Sequence, residues 1–412
     1  MSAKLKPYIA DFQSRGFGLF VHYGAYIQYN NGEWAMKLRN HNAKEYEQKA
    51  LALDYSSFNA DNLIASAKAC GAKYITFTTR HHDGFSLYDT RGLSDYDIMH
   101  TKNGRDVVKE FTDACHNNDI MPFLYHTTAD WHHPAFENNF KEYLQYLRNS
   151  LEILCRNYGE IGGFWLDGNW SRASDDWELD ELYGVIRKYQ PNAIIINNTG
   201  LEAQGVYGHK EIDCVTFEQG RAQKLDCSGM DKAYIGEMCY PLCEHWGIAE
   251  DINVKSMKQI LEAMTACRAV GGNFLLGIFT NIDGSQPLLH SGYLEAIGKW
   301  VKKHEKAFFD ARPCEVEGNG TDFALENDEN LFLYLNNINT WGDANVIKSV
   351  PRTFGVFKNA NKPIASIKWL DNGAEAAFTQ DLEKGILFLE PTPFLYGESF
   401  VVRVAQVDYK AN

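Results

Sequence analysis

The sequence is short of the features that mark membrane proteins, secreted proteins and nucleic-acid-binding proteins. No apolar run in its 412 residues approaches the length of a membrane span, and the first segment, MSAKLKPYIADFQSRGF, contains no apolar signal-peptide core. Acidic residues outnumber basic ones by 54 to 40, and the formal charge of −14 disfavours nucleic acid or an anionic membrane as a partner. We therefore predict a cytoplasmic protein with no nucleic-acid and no membrane partner.

Familiar metal-binding patterns are missing as well. The nine cysteines are scattered, and the closest pair, Cys239 and Cys243, has neither CxxC spacing nor a second pair to complete a zinc ribbon. No HExxH sequence occurs. We interpret the cysteines as reduced thiols and predict no metal site from these patterns.

Aromatic residues, by contrast, are abundant. They make up 13% of the chain, with nine Trp and 22 Tyr, whereas the apolar share of 45% and the charged share of 23% are ordinary for a soluble protein. The rings could form a large aromatic core, or they could wall a carbohydrate site by stacking on the C–H faces of sugars. Composition alone favours the core.

Short apolar strands alternate with amphipathic helical segments through about residue 301. The predicted strands are 17–22, 74–79, 121–125, 163–167, 193–197, 214–218, 234–238 and 273–279. The predicted helices include 61–70, 105–117, 136–158, 177–189 and 254–270. This alternation predicts an α/β fold, a parallel (β/α)8 barrel, which is irregular near residues 214 and 234 because no clear helix separates those strands.

The pattern changes after Arg312. Strand-like segments such as NLFLYLNN, VIKSVPRTFGV, SIKWLDNG, GILFLEP and SFVVRVAQV are joined by Asn, Gly and Pro turns, without a convincing helix. We therefore predict a catalytic barrel over residues 1–311 and a C-terminal antiparallel β-sandwich over residues 312–412.

Polar and aromatic residues collect at the predicted strand ends. In a barrel of this kind the C-terminal ends of the strands carry the chemistry. The candidates at or just after these ends are His22, Glu33, Trp34, His81, His82, Tyr125, Trp165, Asp167, Glu218 and Glu237. A lone histidine at a strand end more often satisfies a hydrogen bond than serves catalysis, but the coincidence across several strands favours a functional pocket.

Two kinds of chemistry fit this set. Metal catalysis is the weaker candidate, because His81 and His82 would point in opposite directions from an extended strand. Glycoside hydrolysis needs two carboxyl groups, polar groups that hold sugar hydroxyls, and aromatic walls. Asp167, flanked by Trp165 and Trp170, suits a nucleophile, and Glu218 or Glu237 could be the acid. His81 and His82 would then grip hydroxyl groups.

Six segments follow one another along the chain in a specific order: FGLFVHYGAY, GEWAMK, RHHDGF, LYHTTADW, GFWLDGNW and GGNFLLGIFTNIDG. In this order they resemble glycoside hydrolase family 29, the α-L-fucosidases. The resemblance covers residues 16 to about 305, and a β-rich C-terminal domain also matches the family. The spaced set is specific, whereas HHDGF alone would be weak.

The resemblance implies a retaining exo-hydrolase that uses a covalent fucosyl–aspartate intermediate and no cofactor. The implied partners are small carbohydrate substrates that carry terminal α-L-fucosyl residues, and further copies of the chain in a homo-oligomer. Asp167 matches the nucleophile, and Glu218, within D-x-x-T-x-E, matches the acid/base of some members, with Glu237 in GEMCY as the runner-up. The matches to the fucose pocket are His22, Glu33, Trp34, His81, His82, Tyr125 and Trp165.

The chain also departs from the family pattern at four places. Arg80 replaces a Lys, Tyr23 replaces a Trp, HWGIAED at 245–251 stands for S-W-G-Y, and IFTNIDG lacks N-x-G-P. We expect these differences to lie near the site and to affect the preference for the aglycone. Two alternative functions stay open: another, metal-assisted hydrolase on the same barrel, and an inactive carbohydrate-binding homologue, against which the intact Asp167 argues.

Overall fold

The computed structural model describes residues 4–251, 253–338, 348–349, 354–391, 394–395 and 401–410. The chain divides into two compact units. We call them the barrel unit, which comprises Met1–Lys255 and Asn273–Glu295, and the C-terminal unit, which comprises Ser256–Gly272 and Ala296–Asn412. The domain boundary predicted between residues 311 and 312 stays a prediction.

Eight parallel strands close into a barrel in the first unit. They are β1 (Phe17–His22), β2 (Tyr74–Arg80), β3 (Met121–Thr127), β4 (Gly163–Asp167), β5 (Ile194–Asn198), β6 (Cys214–Thr216), β7 (Ile235–Pro241) and β8 (Asn273–Phe279). Each strand pairs with the next one along the chain, and β8 pairs with β1. The predicted barrel is therefore confirmed.

The helices follow the predicted alternation. They are α1 (Pro7–Arg15), α2 (Ala35–Leu38), α3 (Ala43–Ala52), α4 (Ala60–Cys70), α5 (Val107–His116), α6 (Ala135–Asn138), α7 (Phe140–Asn157), α8 (Leu179–Tyr189), α9 (Met257–Ala269) and α10 (Leu288–Lys303). Capping residues set several starts: the Asn59 side chain accepts from the backbone N–H of Asp61, and the Asp106 side chain accepts from that of Lys109. Along the described residues, no helix is long and apolar enough to cross a membrane.

The barrel is irregular where the sequence predicts it. Residues 199–213, between β5 and β6, and residues 217–234, between β6 and β7, are all described and contain no α-helix. Strand β6 has only three residues. The strands there lack the helical cover that other parts of the barrel have, and this bears on the cavities described below.

Large aromatic side chains fill the barrel interior. Phe12 from α1 packs against Tyr74 and Phe123 with ring centroids 5.1 and 4.9 Å away. Nearer the C-terminal strand ends, Phe20 packs against Trp165 at 4.9 Å. Many of the aromatic residues therefore belong to the core. Phe20 and Trp165, near the C-terminal strand ends, also form the floor of the cavity described below.

The C-terminal unit contains antiparallel sheets. One sheet has the order β10 (Glu317–Gly318), β14 (Gly355–Lys358), β17 (Ile386–Leu389) and β16 (Phe378–Asp381); the other has the order β15 (Ile364–Trp369), β19 (Arg403–Tyr409), β12 (Leu331–Leu335), β11 (Phe323–Glu326) and β9 (Arg312–Pro313). A short pair joins β13 (Lys348–Ser349) to β18 (Phe394–Leu395). Parts of the predicted segments 346–356 and 399–407 lie outside the described residues.

Apolar side chains of the two larger sheets share one core. Leu333 and Trp369 from one sheet pack in the same buried cluster as Phe357 and Leu387 from the other. This is the packing of a β-sandwich, so the predicted C-terminal fold is confirmed.

Candidate active site

A cavity of about 650 Å³ lies at the C-terminal end of the barrel strands. Its size is within the usual range of small-molecule sites, about 300–1,000 Å³. Nine of the ten predicted site residues line it: His22, Glu33, Trp34, His81, His82, Tyr125, Trp165, Asp167 and Glu218. The remaining one, Glu237, does not. Phe20 and Trp165 form part of the floor.

The Asp167 carboxylate is the most heavily hydrogen-bonded group in this cavity. Its Oδ2 accepts a bond from the Tyr125 hydroxyl at 2.9 Å and lies 3.4 Å from Nε2 of His82. Its Oδ1 accepts bonds from Trp170 Nε1 at 2.8 Å and Asn198 Nδ2 at 3.1 Å. Burial alone would raise the pKa of Asp167, but the contacts with His82, Trp170 and Tyr125 outweigh it and lower the pKa. The group is therefore a carboxylate at neutral pH.

The backbone after β4 explains how Asp167 comes to face the cavity. Gly168 has a φ of 124°, and a Cβ at this position would lie 2.6 Å from the backbone nitrogen of Ala129. Only glycine fits such a conformation and such a close approach. The Asp-Gly pair thus ends the strand with the carboxylate at its tip.

Glu218 is the second carboxyl group of the cavity, and it shares a donor with Asp167. Nδ2 of Asn198 lies 2.8 Å from Oε2 of Glu218 and 3.1 Å from Oδ1 of Asp167. Because 2.8 and 3.1 add to 5.9, the two oxygens are at most 5.9 Å apart. Burial and then the charge of Asp167 raise the pKa of Glu218 to about 7. The pair therefore combines an ionised carboxylate with a carboxylic acid that is largely protonated below neutral pH.

Glu237 lies elsewhere, which corrects the prediction that it ends a strand. Strand β7 continues to Pro241, so Glu237 is its third residue and lies deep in the barrel. Its oxygens accept bonds from the Tyr74 hydroxyl at 2.6 Å and Trp165 Nε1 at 2.9 Å. Burial raises the pKa of Glu237 to about 7 as well. Glu237 supports the floor of the cavity through Trp165 and is only 1% exposed.

His81 and His82 both line the cavity, which corrects the expectation that they point in opposite directions. Strand β2 ends at Arg80, so the alternation of an extended strand no longer applies to the next two residues. The chain turns at Gly84, where φ is 81° and a Cβ would lie 2.5 Å from an oxygen of Asp130. The two rings lie 4.4 Å apart between centroids.

The two histidines have different contacts. His82 Nδ1 lies 2.6 Å from the Thr127 hydroxyl, and its Nε2 faces Asp167. His81 stacks on Tyr125 with centroids 5.4 Å apart, and among the described residues its Nδ1 has no hydrogen-bond partner. Burial, then His82 and His22, lower the pKa of His81 well below its ordinary value. A neutral ring with an unused polar atom suits a hydroxyl group of a ligand.

Glu33 binds the backbone of the loop that carries Trp246, another residue of the cavity wall. Its Oε2 accepts bonds from the backbone N–H groups of Trp246 at 3.2 Å and Gly247 at 2.7 Å. Trp34 stacks on Trp170 with centroids 6.0 Å apart. Glu33 thus orders the loop that brings Trp246 over His22, whose ring stacks on the indole at 5.2 Å.

Three lining residues that contact Asp167 or His22 were not predicted as site residues. Asn198 and Trp246 were not among the candidates, and Trp170 entered only as a neighbour of Asp167. Trp170 follows Asp167 within GFWLDGNW, and Trp246 lies in the variant segment HWGIAED, so both had a signal. Asn198 had a weaker one, as the residue just after the predicted end of a strand.

Two of the four departures from the family pattern point away from the cavity, contrary to expectation. The Arg80 guanidinium is buried and donates to Ser86, Tyr88 and Ser150. The Tyr23 hydroxyl donates to the carbonyl of Ile282 at 2.8 Å. Neither side chain lines the cavity, whereas His245 and Trp246 of the 245–251 segment do.

Among the described residues, no group of three or more His, Cys, Asp or Glu side chains is arranged so that it could bind a metal ion. The histidines of the cavity instead contact Asp167, Thr127 and aromatic rings. The donor set is that of a site for a polar organic ligand.

Comparison with known proteins identifies the family. The model of the α-L-fucosidase family matches residues 1–306. This chain belongs to the α-L-fucosidase family. The family consists of glycoside hydrolases, so the chain is that of a glycoside hydrolase. A putative α-L-fucosidase of Caenorhabditis elegans is 26% identical in an alignment 339 positions long, which covers 75% of this chain and 68% of that protein. The tissue α-L-fucosidase of Bos taurus is 24% identical, over 76% of this chain and 71% of its own.

Solved structures of the family share the fold of this α-L-fucosidase family member. Isoenzyme 1 from Paenibacillus thiaminolyticus superimposes with a TM-score of 0.82 at 24% identity, covering 98% of this chain and 99% of the other. A family 29 α-L-fucosidase from Bacteroides thetaiotaomicron gives a TM-score of 0.83 at 19% identity, covering 100% and 96%. Barrel and sandwich are therefore the common architecture.

Proposed function

We propose that this protein is a retaining exo-α-L-fucosidase that removes terminal α-L-fucosyl residues through a covalent intermediate on Asp167. The proposal rests on the short distance between the two carboxyl groups. An oxygen of Asp167 and an oxygen of Glu218 lie at most 5.9 Å apart, which is the sum of their distances of 3.1 and 2.8 Å to Asn198 Nδ2. Retaining glycosidases keep their two carboxyl groups about 5–5.5 Å apart, whereas inverting ones leave about 6.5–9.5 Å for a water molecule.

The first step follows from the protonation states of the pair. The Asp167 carboxylate attacks the anomeric carbon and forms an ester, while Glu218 gives its proton to the glycosidic oxygen that leaves. The raised pKa of Glu218 supplies that proton near neutral pH, and the lowered pKa of Asp167 keeps the nucleophile charged.

The second step uses the same two groups in reverse. Once Asp167 is esterified, its negative charge no longer raises the pKa of Glu218. Glu218, now a carboxylate, takes a proton from water, and the water oxygen attacks the anomeric carbon. The Asp167 ester bond breaks, and fucose leaves with its configuration retained. A structure of a Bacteroides thetaiotaomicron family 29 enzyme is a trapped covalent intermediate with a fluorinated fucosyl group, which supports this route.

The remaining lining residues would hold the sugar. We assign hydroxyl contacts to His22, Glu33, His81 and His82, and the apolar walls to Trp34, Tyr125 and Trp165. The Nδ1 atom of His81, which has no partner among the described residues, supports this assignment. No step requires a cofactor.

The direct test is the release of nitrophenol from nitrophenyl α-L-fucoside, with and without chelator. We expect turnover that chelator leaves unchanged, and turnover abolished by chelator would favour the metal-assisted alternative. An inactive binding protein would bind fucose without releasing nitrophenol. Asp167→Ala should lose several orders of magnitude in turnover, and added azide should yield β-L-fucosyl azide. Near-normal turnover of this variant would overturn the mechanism.

The cytoplasmic location and the homo-oligomeric state also remain proposals. Cell fractionation and light scattering test them directly, and neither bears on the chemistry of the pair.

A further inference from the structure

A second cavity, of about 570 Å³, adjoins the catalytic one in the barrel unit. It lies between the segment that leads into α8 and the connection 199–213, which carries no α-helix. In a regular barrel a helix would cover the strands at this position. Its lining away from the catalytic cavity includes Trp177, Tyr183, Val206, Tyr207, His209 and Ile212.

The two cavities are neighbours that share one wall. Trp170, Ala173, Asn198, Thr199 and Ala203 line both of them. Trp170 and Asn198 are also two of the donors to the Asp167 carboxylate. The second cavity therefore begins one side chain away from the proposed nucleophile.

The walls of the second cavity combine aromatic rings with neutral polar groups. Asn197 donates from Nδ2 to the Tyr183 hydroxyl at 2.7 Å, and among the described residues its buried Oδ1 has no partner. Trp170, Trp177 and Tyr207 contribute aromatic surface. Amide groups beside aromatic rings are the chemistry that recognises a neutral sugar, whose hydroxyls need partners and whose C–H faces pack on rings.

Two of the three acidic side chains at this cavity, Asp175 and Asp180, are paired with cations. Asp180 lies 2.8 Å from Lys210 Nζ and 3.3 Å from His209 Nε2. Asp175 pairs with Arg172. The third, Asp176, accepts the backbone N–H of Glu178 at 2.9 Å, and a carboxylate accepts from sugar hydroxyls as well as from cations.

We infer that the second cavity binds a sugar of the leaving oligosaccharide, beyond the fucosyl residue held in the catalytic cavity. This inference rests on the proposed function and adds a substrate class to it: fucosylated chains longer than a disaccharide. Leu201, 59% exposed, lines the catalytic cavity, and Val206, 48% exposed, lines the second one; a substrate that occupies both cavities would cover these apolar side chains.

The test fills the second cavity without touching the catalytic one. Val206 lines only the second cavity and is half-exposed, so Val206→Trp narrows that cavity while disturbing few contacts. Val206→Ala is the control for the loss of valine. Leu288→Trp, at a 90% exposed position that lines neither cavity, is the control for an added indole.

The measurement is kcat/KM on three substrates: nitrophenyl α-L-fucoside, a fucosyl disaccharide, and a longer oligosaccharide with the same terminal linkage. We expect the wild type to prefer the longer chain over the disaccharide by at least about tenfold. Val206→Trp should remove that preference and leave the aryl fucoside within about twofold. Both controls should retain the preference.

Three outcomes would overturn the inference: a wild type indifferent to chain length, a Val206→Trp variant that keeps the preference, and an equal loss on all three substrates. Failure of the proposed function has a different signature, because the wild type would then release no nitrophenol from the aryl fucoside.

Discussion

Asp167 and Glu218 are joined through a single amide, because Nδ2 of Asn198 hydrogen-bonds to both carboxyl groups. The orientation of that amide is fixed from its other side. Its Oδ1 accepts bonds from the Thr216 hydroxyl at 2.8 Å and from the backbone N–H of Gly200 at 3.3 Å. The ends of β4, β5 and β6 are thus connected at the point where the two proposed catalytic groups meet.

The pKa values of the pair predict a bell-shaped pH dependence of kcat/KM on a fucoside whose leaving group needs a proton. The basic limb should fall near pH 7, where Glu218 loses its proton, and the acid limb below the ordinary aspartate value of 3.8. Glu218→Gln should lack the basic limb because its amide does not titrate in this range, and a substrate with an acidic leaving group keeps the activity of the variant measurable. A basic limb that persists unchanged in this variant would contradict the assignment.

The shared amide predicts a shift of that limb in Asn198→Ala. The hydrogen bond from Asn198 lowers the pKa of Glu218, so its removal should raise that pKa and move the basic limb to higher pH. The neighbouring amide gives a matched control. Asn197→Ala loses only a bond to Tyr183 and should leave the limb where it is. If the basic limb falls at the same pH in the wild type and in Asn198→Ala, this hydrogen bond does not set the pKa of Glu218.

Azide rescue should separate Glu218 from Glu237. In Glu218→Ala, water is no longer activated, so azide should restore turnover of a substrate with an acidic leaving group and yield α-L-fucosyl azide. Glu237→Gln keeps much of the shape of the group that accepts from Tyr74 and Trp165, and azide should not affect it. NMR of the product assigns its configuration. If azide rescues only a Glu237 variant and the product has the α configuration, Glu237 and not Glu218 is the acid/base.

The sequence predicted the barrel well because its signals are local. Apolar, β-branched runs bounded by turn residues located all eight strands, and the polar ends of three predicted strands located His22, Asp167 and Glu218, although β6 ends at Thr216, before Glu218. The errors occurred where a strand ends at a place that local pattern does not determine. The extended geometry predicted for His81 and His82 is wrong because β2 ends at Arg80, and Glu237, predicted at the end of a strand, lies within β7, which continues to Pro241.

Contacts between distant segments were beyond such reasoning. Asn198 is important because β4 and β6 bring Asp167 and Thr216 to its two sides. Trp246 is important because Glu33, which lies 213 positions earlier in the chain, accepts a hydrogen bond from its backbone N–H. Neither relation leaves a periodic pattern in the chain. Thr216 and Asp213 entered the prediction as parts of one motif with Glu218, yet they serve different ends of β6.

Asp213 precedes β6, and its carboxylate is fully buried there among two cations and a hydroxyl. Its Oδ1 accepts from Lys232 Nζ at 2.7 Å and from the Tyr8 hydroxyl at 3.0 Å, while Oδ2 accepts from Arg187 and from the backbone N–H of Ile195. Because Asp213 lies at the end of the strand opposite to Thr216, we expect it to support stability rather than catalysis.

Asp213→Ala should therefore lower the free energy of unfolding by about 3–5 kcal/mol, since it removes the carboxylate that pairs with Lys232 in a largely buried place and leaves Arg187, among the described residues, paired only with Glu211. Urea unfolding at pH 7 measures this loss. Asp113→Ala, which breaks an exposed pair with Lys109, is the matched control and should change stability little. Folded Asp213→Ala protein should keep its turnover number on an aryl fucoside. A stable Asp213→Ala variant with lost turnover would instead assign this carboxylate to the chemistry of the site.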